Sequence, residues 1–166
     1  MVVVQQVFSK MLDALTFTMY AEQCASQIHP KTMMLLVQQE SSLNPFAIAI
    51  VDGKLKRQPR NLDEAVATAD WLVARGIKFS AGISQVFVGN WKNLGLNSRS
   101  VFDICRNLRA GTKIFLDCHE RAINKRRASG QAAIELAFSC YYSNNFSTGY
   151  DHGYVQKIVR SAYQAR

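Results

Sequence analysis

The feature that most constrains the fold is residues 32–45 (TMMLLVQQESSLNP), which predict an apolar helix that ends in a carboxylate. An α-helix repeats about every 3.6 residues, so side chains three and four positions apart share one face. Met33, Leu36 and Val37 have this spacing, and Glu40 continues their face by one turn. The sequence therefore predicts a glutamate at the end of the stripe that faces the core.

The end of this helix leaves two alternatives for Glu40. Asn44 precedes Pro45, and a residue before proline is disfavoured in the α region, so the helix is expected to end there. If Glu40 faces the core, desolvation raises its pKa, and its protonated carboxyl can donate a proton to a leaving oxygen near neutral pH. If the helix end is rotated, Glu40 is an ordinary solvated glutamate, because helix ends follow their period loosely.

Three short motifs resemble those of one enzyme family. Residues 40–48 (ESSLNPFAI) resemble the catalytic motif of soluble lytic transglycosylases, in which a Glu-Ser pair is followed by Asn-Pro. Residues 80–86 (SAGISQV) are similar to the family's second motif, which combines a glycine, an apolar residue and a glutamine. Residues 140–145 (CYYSNN) resemble its tyrosine-rich turn. The motifs follow the family's order, and the resemblance runs from about residue 24 to residue 154.

The resemblance implies a mainly α, lysozyme-like fold of the goose-type or soluble lytic transglycosylase kind, with a minor β-hairpin or extended loop. It extends to the small transglycosylases of type IV secretion and conjugation systems, which share residues 48–50 (IAI), a loop like residues 58–61 (QPRN) and four cysteines. A length of 166 residues suits one domain with its own core. We predict this domain over residues 21–166, and either a first helix or a degenerate export signal over residues 1–20.

The resemblance also implies the residues of the site. Glu40 corresponds to the family's catalytic acid, which protonates the glycosidic oxygen between N-acetylmuramic acid and N-acetylglucosamine and then accepts the proton of the sugar's 6-hydroxyl. The product carries a 1,6-anhydromuramyl end, and no cofactor is expected. The residues implied to bind substrate are Ser41, Gly82, Ile83, Gln85 and Tyr142, with Tyr141 as the alternative to Tyr142. Structural alternatives are a close helix contact for Gly82 and a solvated position for Gln85.

Two positions depart from the family pattern. Ser84 stands where methionine is common, which is expected to remove an apolar wall from the groove. Asn144 stands where glycine is common, and asparagine tolerates the left-handed turn expected there. Neither departure affects the acid.

A glycosidase commonly needs two carboxylates, and the sequence offers few candidates for the second. Most of its twelve acidic residues are predicted to lie on solvated helix faces or in the first turn of a helix. Asp52, in the loop after Glu40, is the one plausible partner, although Asp-Gly is also common in turns. A water-using muramidase and a non-enzymatic wall-binding scaffold are therefore the alternatives to the transglycosylase.

The four cysteines, Cys24, Cys105, Cys118 and Cys140, allow three sets of pairs. If residues 100–121 form one helix, Cys105 and Cys118 lie about 20 Å apart, which is too far for a disulfide. We predict two disulfides in which each of these residues bonds Cys24 or Cys140, as suits an oxidising periplasm. Four reduced core cysteines are the alternative. No CxxC or Cys/His spacing indicates a metal site.

The formal net charge is +8, and the basic residues are dispersed except for two short clusters at residues 54–57 and 125–127. Such a charge attracts anionic polymers, and no nucleic-acid-binding signature accompanies it. We expect peptidoglycan glycan strands as the substrate, components of a type IV secretion or conjugation complex as possible partners, and no nucleic acid. No apolar run has the length of a transmembrane helix. The expected location is the periplasm, although an export signal is not evident.

Capping and turn residues predict the remaining elements. The predicted helices cover residues 27–39, 61–76, 80–95, 100–127, 131–141 and 155–163. Residues 48–56 predict a hairpin or extended loop, because an Asp-Gly pair follows a short apolar run. In the helix capped by Asn61, the stripe predicted to be buried is Val66, Ala69, Leu72 and Val73.

Overall fold

The computed structural model describes residues 11–164, and most of these residues are helical. The α-helices in this range are α1 (Ala14–Cys24), α2 (Pro30–Ser41), α3 (Leu62–Ala74), α4 (Trp91–Leu94), α5 (Ile104–Arg126), α6 (Gly130–Ser143), α7 (Thr148–Asp151) and α8 (Tyr154–Gln164). Short 3₁₀ turns at Val88–Asn90 and Ser100–Phe102 lead towards α4 and α5. The predicted mainly α, lysozyme-like fold is confirmed.

A small antiparallel sheet supplies the minor β element. Its strands are β1 (Ile48–Ile50), β2 (Phe79–Ala81) and β3 (Val86–Phe87), in the order β1-β2-β3. Ala49 pairs with Ser80, and Ser80 pairs on its other side with Phe87. The Gln58 amide donates to the carbonyl of Ile48 and accepts from its N–H, each at 2.9 Å. The loop over residues 58–61 therefore satisfies the backbone of β1.

Helix α5 contributes to both apolar cores. One core joins α5 to α1, α2, α6 and α8, and its large buried side chains include Phe17, Leu36, Leu108 and Ile158. The other joins α5 and α3 to the sheet and contains Leu72, Phe79, Trp91 and Val101. Burial of one large apolar side chain stabilises the fold by about 1.5–3 kcal/mol. Together the two cores fix α2 and the sheet relative to α5.

The predicted helix over residues 80–95 is wrong. Phe79–Ala81 and Val86–Phe87 are strands joined by a turn, and only Trp91–Leu94 is α-helical before Gly95 ends it in the left-handed region. The turn depends on Asn107 of α5, whose amide donates to the carbonyl of Ala81 and accepts from the N–H of Ser84. These bonds join residues more than twenty positions apart, so local periodicity carries no signal for them.

Two helices differ from their predicted limits or faces. Helix α5 begins at Ile104 instead of Ser100, because the Asp103 side chain caps it by accepting from the N–H of Arg106. Asn61 caps α3 as predicted. The buried residues of α3 are Ala65, Ala69 and Leu72, whereas Val66 is half-buried and Val73 is 46% exposed. The face of α3 that meets the core is therefore turned slightly from the predicted one.

Two disulfides cross-link the helices, as predicted. Cys24 of α1 bonds Cys105 of α5, and Cys118 of α5 bonds Cys140 of α6. The Cα atoms of these pairs are 5.2 and 5.6 Å apart, within the normal range for a disulfide. Helix α5 is thus bonded covalently to α1 and to α6.

The prediction for residues 1–20 lies partly outside the described residues, which begin at residue 11. Helix α1 (Ala14–Cys24) crosses the boundary predicted between residues 20 and 21, and the position of that boundary stays a prediction. Within residues 11–164, no helix is long and apolar enough to cross a membrane.

Candidate active site

Glu40 lies in the last turn of α2 and is partly buried. Met33, Leu36 and Val37 on the same face are buried, so the helix presents this face to the core as predicted. Tyr154, the first residue of α8, donates its hydroxyl hydrogen to Oε1 of Glu40. The carboxyl therefore lies where two helix ends meet.

Burial raises the pKa of Glu40 from 4.5 to about 7. The hydrogen bond from Tyr154 acts in the opposite direction, because it favours the charged carboxylate. Desolvation has the larger effect, since one hydroxyl donor does not replace the water lost from an ionised carboxylate. Burial and the nearby Glu40 also raise the pKa of Tyr154, so its hydroxyl keeps its proton. Glu40 therefore faces the core and is not the ordinary solvated glutamate that was the alternative.

Ser41 fixes the helix end that carries the acid. Its hydroxyl donates to the carbonyl of Ile83 at 2.6 Å and is 3.2 Å from the carbonyl of Val37. Ser42 and Leu43 then adopt left-handed backbone with φ of 53° and 65°, which ends α2 before the proline. The end of α2 is thereby tied to the turn between β2 and β3.

That turn depends on a glycine and a buried glutamine. Gly82 has φ of +83°, and a Cβ at this position would overlap the amide of Asn107, so only glycine fits the close contact with α5. Gln85 is 8% exposed and donates from Nε2 to the carbonyls of Ala47 and Gly82, both at 2.9 Å. The close helix contact considered for Gly82 is present, and the solvated position considered for Gln85 is wrong.

Ser84 faces α5 and not the groove, whereas serine in place of methionine was expected to remove an apolar wall from the groove. Its side chain is fully buried against Asn107 and Gly111 of α5, and its hydroxyl donates to the carbonyl of Asn107 at 3.0 Å. A Cβ on Gly111 would lie 2.5 Å from the Ser84 hydroxyl oxygen. The serine therefore fits a gap between the turn and α5 that is too narrow for a larger side chain.

Tyrosines from the C-terminal helices surround Glu40. The Tyr141 hydroxyl donates to the carbonyl of Ser84 at 2.6 Å, and burial raises its pKa above the usual value. Tyr142 is 45% exposed, stacks on Tyr154 with ring centroids 4.6 Å apart, and lies 3.1 Å from Nδ1 of His152 through its hydroxyl. The hydroxyl that bonds the acid thus belongs to Tyr154, whereas the sequence analysis named Tyr141 and Tyr142 as binding substrate.

Glu40 opens into a cavity of about 250 Å³, called the acid cavity here. Its lining includes Glu40, Gln85, Phe87, Asn90, Tyr141 and Tyr142. A larger cavity of about 680 Å³, the outer cleft, shares Phe87, Asn90, Tyr141 and Tyr142 with it and reaches Asn144. The two form a continuous groove between the β3–α4 segment and helices α5 and α6.

Asn144 forms one end of this groove. It caps α6 in the expected left-handed conformation, with φ of 58°. Arg121 of α5 holds it with one bond to its side-chain oxygen at 2.8 Å and one to its carbonyl at 3.2 Å. Asparagine in place of glycine thus gains a partner that glycine would lack.

The second carboxylate proposed from sequence does not line the acid cavity. Asp52 is exposed in the turn after β1 and has φ of 58°, a conformation that aspartate tolerates better than most residues. Within the described part of the chain, Glu40 is the one carboxylate in the lining of the acid cavity, and Asp117 lines the outer cleft. Residues 11–164 also contain no group of three or more His, Cys, Asp or Glu side chains arranged to hold a metal ion.

The structure separates the predicted site residues into two sets. Glu40, Gln85, Tyr141 and Tyr142 line the acid cavity. Ser41, Gly82 and Ile83 are not in its lining as described; they join α2 to the β2–β3 turn, and binding of substrate by them stays a prediction.

Sequence reasoning missed Tyr154 and Asn107. Tyr154 lies just before the helix predicted over residues 155–163, whereas in the structure it is buried and begins α8. Asn107 lies in the first turn of α5, and its sequence neighbours give no sign of the contacts that its side chain makes. Only a contact across the fold reveals either role.

The chain matches one family profile over most of its length and is similar to proteins named virB1. The family profile described as Transglycosylase SLT domain matches residues 17–153. The type IV secretion system protein virB1 of Brucella abortus biovar 1 (strain 9-941) is 47% identical over 151 residues, which are 88% of this chain and 63% of that protein. The protein virB1 of Agrobacterium fabrum is 25% identical over 155 residues, 89% of this chain and 60% of that protein. No solved structure matched.

The chain spans less than two thirds of the length of these relatives. The family profile, which covers residues 17–153, nevertheless includes Glu40, the β2–β3 turn, Tyr141 and Tyr142, and ends one residue before Tyr154.

Proposed function

We propose that this chain, which belongs to the Transglycosylase SLT domain family, cleaves the β-1,4 bond between N-acetylmuramic acid and N-acetylglucosamine in peptidoglycan. The family is the one that the three sequence motifs predicted. The single observation that carries the proposal is a partly buried carboxyl with a pKa of about 7 that lines a cavity continuous with a larger cleft.

The raised pKa suits Glu40 to act as a general acid. At pH 7 a group with a pKa of about 7 is protonated in about half of the molecules. A glutamate with the ordinary value of 4.5 is protonated in only about one molecule in 300 at that pH. Glu40 therefore holds a proton for the glycosidic oxygen and can still accept one after that proton has left.

The proposed reaction uses Glu40 twice. Its carboxyl proton passes to the glycosidic oxygen as the bond from C1 of muramic acid to that oxygen breaks. The sugar's own acetamido group stabilises the positive charge at C1, the 6-hydroxyl oxygen then bonds C1, and the hydroxyl proton returns to Glu40. The product is a 1,6-anhydromuramyl end, and no water is consumed.

Tyr154 leaves one oxygen of the acid for the substrate. It bonds Oε1, and among the described residues Oε2 of Glu40 takes part in no hydrogen bond. We assign Gln85 and Tyr142 to positioning the sugar, because both line the acid cavity and Tyr142 is 45% exposed. The buried hydroxyl of Tyr141 is engaged by Ser84, so it contributes the shape of the wall.

The lining of the acid cavity supports this reaction over that of a muramidase. A water-using enzyme needs a second carboxylate beside the bond to be cleaved. Within residues 11–164 the acid cavity has one carboxylate, and Asp52 is in an exposed turn. A wall-binding scaffold has no use for a carboxyl buried at a cost in free energy.

The proposed setting is the cell wall at a type IV secretion or conjugation apparatus, which places the protein in the periplasm with glycan strands as substrate. The relatives named virB1 support this setting, and two disulfides suit an oxidising compartment. Components of such an apparatus are the proposed partners. In that setting the protein opens the wall locally.

Mass spectrometry of digested peptidoglycan tests the proposal. Anhydro and reducing muramic acid ends differ by one water, so the masses of the released muropeptides identify the reaction. Anhydro ends are expected as the main product. Reducing ends as the main product would contradict the transglycosylase and favour the muramidase, and intact strands would favour the scaffold.

A further inference from the structure

Helix α5 carries a positively charged stripe that begins at the edge of the outer cleft and runs away from the acid. Arg106, Arg109 and Lys113 are spaced by three and four residues, so they share one face of the helix. All three are exposed. Within residues 11–164, none of their side chains has an ion-pair or hydrogen-bond partner, and the ion pairs described there are Arg57–Glu64 and Arg121–Asp117. The stripe therefore presents uncompensated charge that attracts anions.

These three cations line a cavity of about 320 Å³, called the basic cavity here. Its other wall is formed by Asn93, Leu94 and Leu96, which belong to α4 and the loop after it. The wall opposite the cations is thus mostly aliphatic, with one amide. This combination suits a short peptide that has small aliphatic side chains and free carboxylates.

The basic cavity continues from the groove. Asn93 and Lys113 line both the basic cavity and the outer cleft. Ile114, the residue after Lys113, lines the outer cleft and the acid cavity. Along α5 the stripe extends from this point for about 10 Å, at 1.5 Å per residue. A chain that leaves a sugar in the groove can therefore reach all three cations.

We propose that the basic cavity binds the carboxylates of the stem peptide attached to muramic acid. This inference rests on the proposed function, because the glycan must lie in the groove for its peptide to reach α5. The stem peptide begins at the lactyl group of muramic acid and carries small aliphatic and carboxylate groups, which match the two walls of the cavity. An arginine can hold a carboxylate through two parallel N–H···O bonds.

The test compares two substrates: glycan strands that carry stem peptides, and the same strands after an amidase has removed the peptides. The variant is Arg106→Gln with Arg109→Gln, because these residues line the basic cavity and not the groove. The matched control is Lys125→Gln with Arg126→Gln, at the exposed end of the same helix. Both variants lower the net charge by two, so the control reproduces any general loss of attraction.

The measured quantity is the ratio of kcat/KM on peptide-bearing strands to kcat/KM on peptide-free strands. We expect the ratio to fall about tenfold in the Arg106/Arg109 variant, since it removes two exposed ion pairs with the peptide's carboxylates. It should stay at the parent's value in the control. Salt of about 1 M should lower the parent's ratio towards that of the variant, because exposed charges are screened.

A binding measurement separates this inference from the proposed function. The probe is a muropeptide, the disaccharide with its stem peptide, titrated against Glu40→Gln protein with and without the Arg106/Arg109 substitutions. Weaker binding by the substituted protein is expected, and binding of equal strength would contradict the inference even if cleavage is normal. If the Arg106/Arg109 substitutions weaken muropeptide binding as expected but the parent does not cleave peptidoglycan, the proposed function is contradicted instead. An equal loss of kcat/KM on peptide-bearing and peptide-free strands in the Arg106/Arg109 variant would also overturn the inference.

Discussion

The hydroxyl of Tyr154 donates to Oε1 of Glu40 across 114 positions of sequence. Tyr154 begins α8, and Glu40 lies in the last turn of α2, so this bond joins the last described helix to α2 at the acid. Tyr142 stacks on the ring of Tyr154. The position of the acid therefore depends on α8 as much as on its own helix.

Glu40→Gln should remove most of the wall-lytic activity. The amide keeps the shape of the side chain but has no proton to transfer, and general acid catalysis contributes roughly 10²–10⁴-fold. A turbidity assay on purified cell walls measures the loss. Near-native activity in this variant would show that another residue supplies the proton.

The same substitution should change how stability depends on pH. The folded pKa of Glu40 is raised from 4.5 to about 7, so the native state binds more protons between these values. Stability from this group is fully present below pH 4.5 and is lost as the pH rises through 7. Relative to the parent, the free energy of unfolding of Glu40→Gln should therefore increase by up to about 3 kcal/mol as the pH rises from 4.5 to about 7. Urea denaturation of both proteins at several pH values measures it, and a constant difference would contradict the raised pKa.

Tyr154→Phe should change the pKa of Glu40 while the carboxyl itself stays in place. The lost hydrogen bond favoured the ionised carboxylate, so the pKa of Glu40 should rise further. The alkaline limb of the kcat/KM profile, expected near pH 7 in the parent, should move to higher pH. Turnover should fall about tenfold, because a hydrogen bond to a charged group contributes about 1.5–3 kcal/mol. Tyr163→Phe, an exposed position of the same helix, is the control, and an unmoved limb in Tyr154→Phe would mean that the bond does not act on the acid.

Asp52→Asn should leave turnover within a few-fold of the parent, and the product should keep its anhydro end. Asp52 is exposed in a turn and outside the lining of the acid cavity as described. Loss of a catalytic carboxylate would instead lower the rate by orders of magnitude. Kinetics and product masses measured on one digest distinguish the two outcomes.

Reduction of the disulfides should lower the melting temperature markedly. Cys24 and Cys105 are 81 positions apart in the sequence, and Cys118 and Cys140 are 22 positions apart. Loss of a native disulfide typically costs about 2–5 kcal/mol of stability. Thermal unfolding with and without reductant measures the effect. Four thiols that titrate in the denatured, unreduced protein would disprove both bonds.

The sequence by itself determined the acid's helix and its face. Met33, Leu36 and Val37 are buried and Glu40 continues their stripe, because an amphipathic helix of this length carries its orientation in its own spacing. Turn and capping chemistry is also local, so the Asn61 cap and the turn at Asn144 were predictable. The cysteine spacing along α5 excluded one pairing through helix geometry alone.

Only the tertiary structure decided which side chains meet the acid. Residues 80–95 look helical in isolation, but β2 and β3 are joined by a turn there, and Asn107 of α5 supplies this turn with bonds that no neighbour in sequence can supply. Tyr154 and the cations of α5 also acquire their surroundings from distant elements. Periodicity reports the face of one element, whereas a site depends on how several elements pack, and that information lies in contacts between residues far apart in the chain.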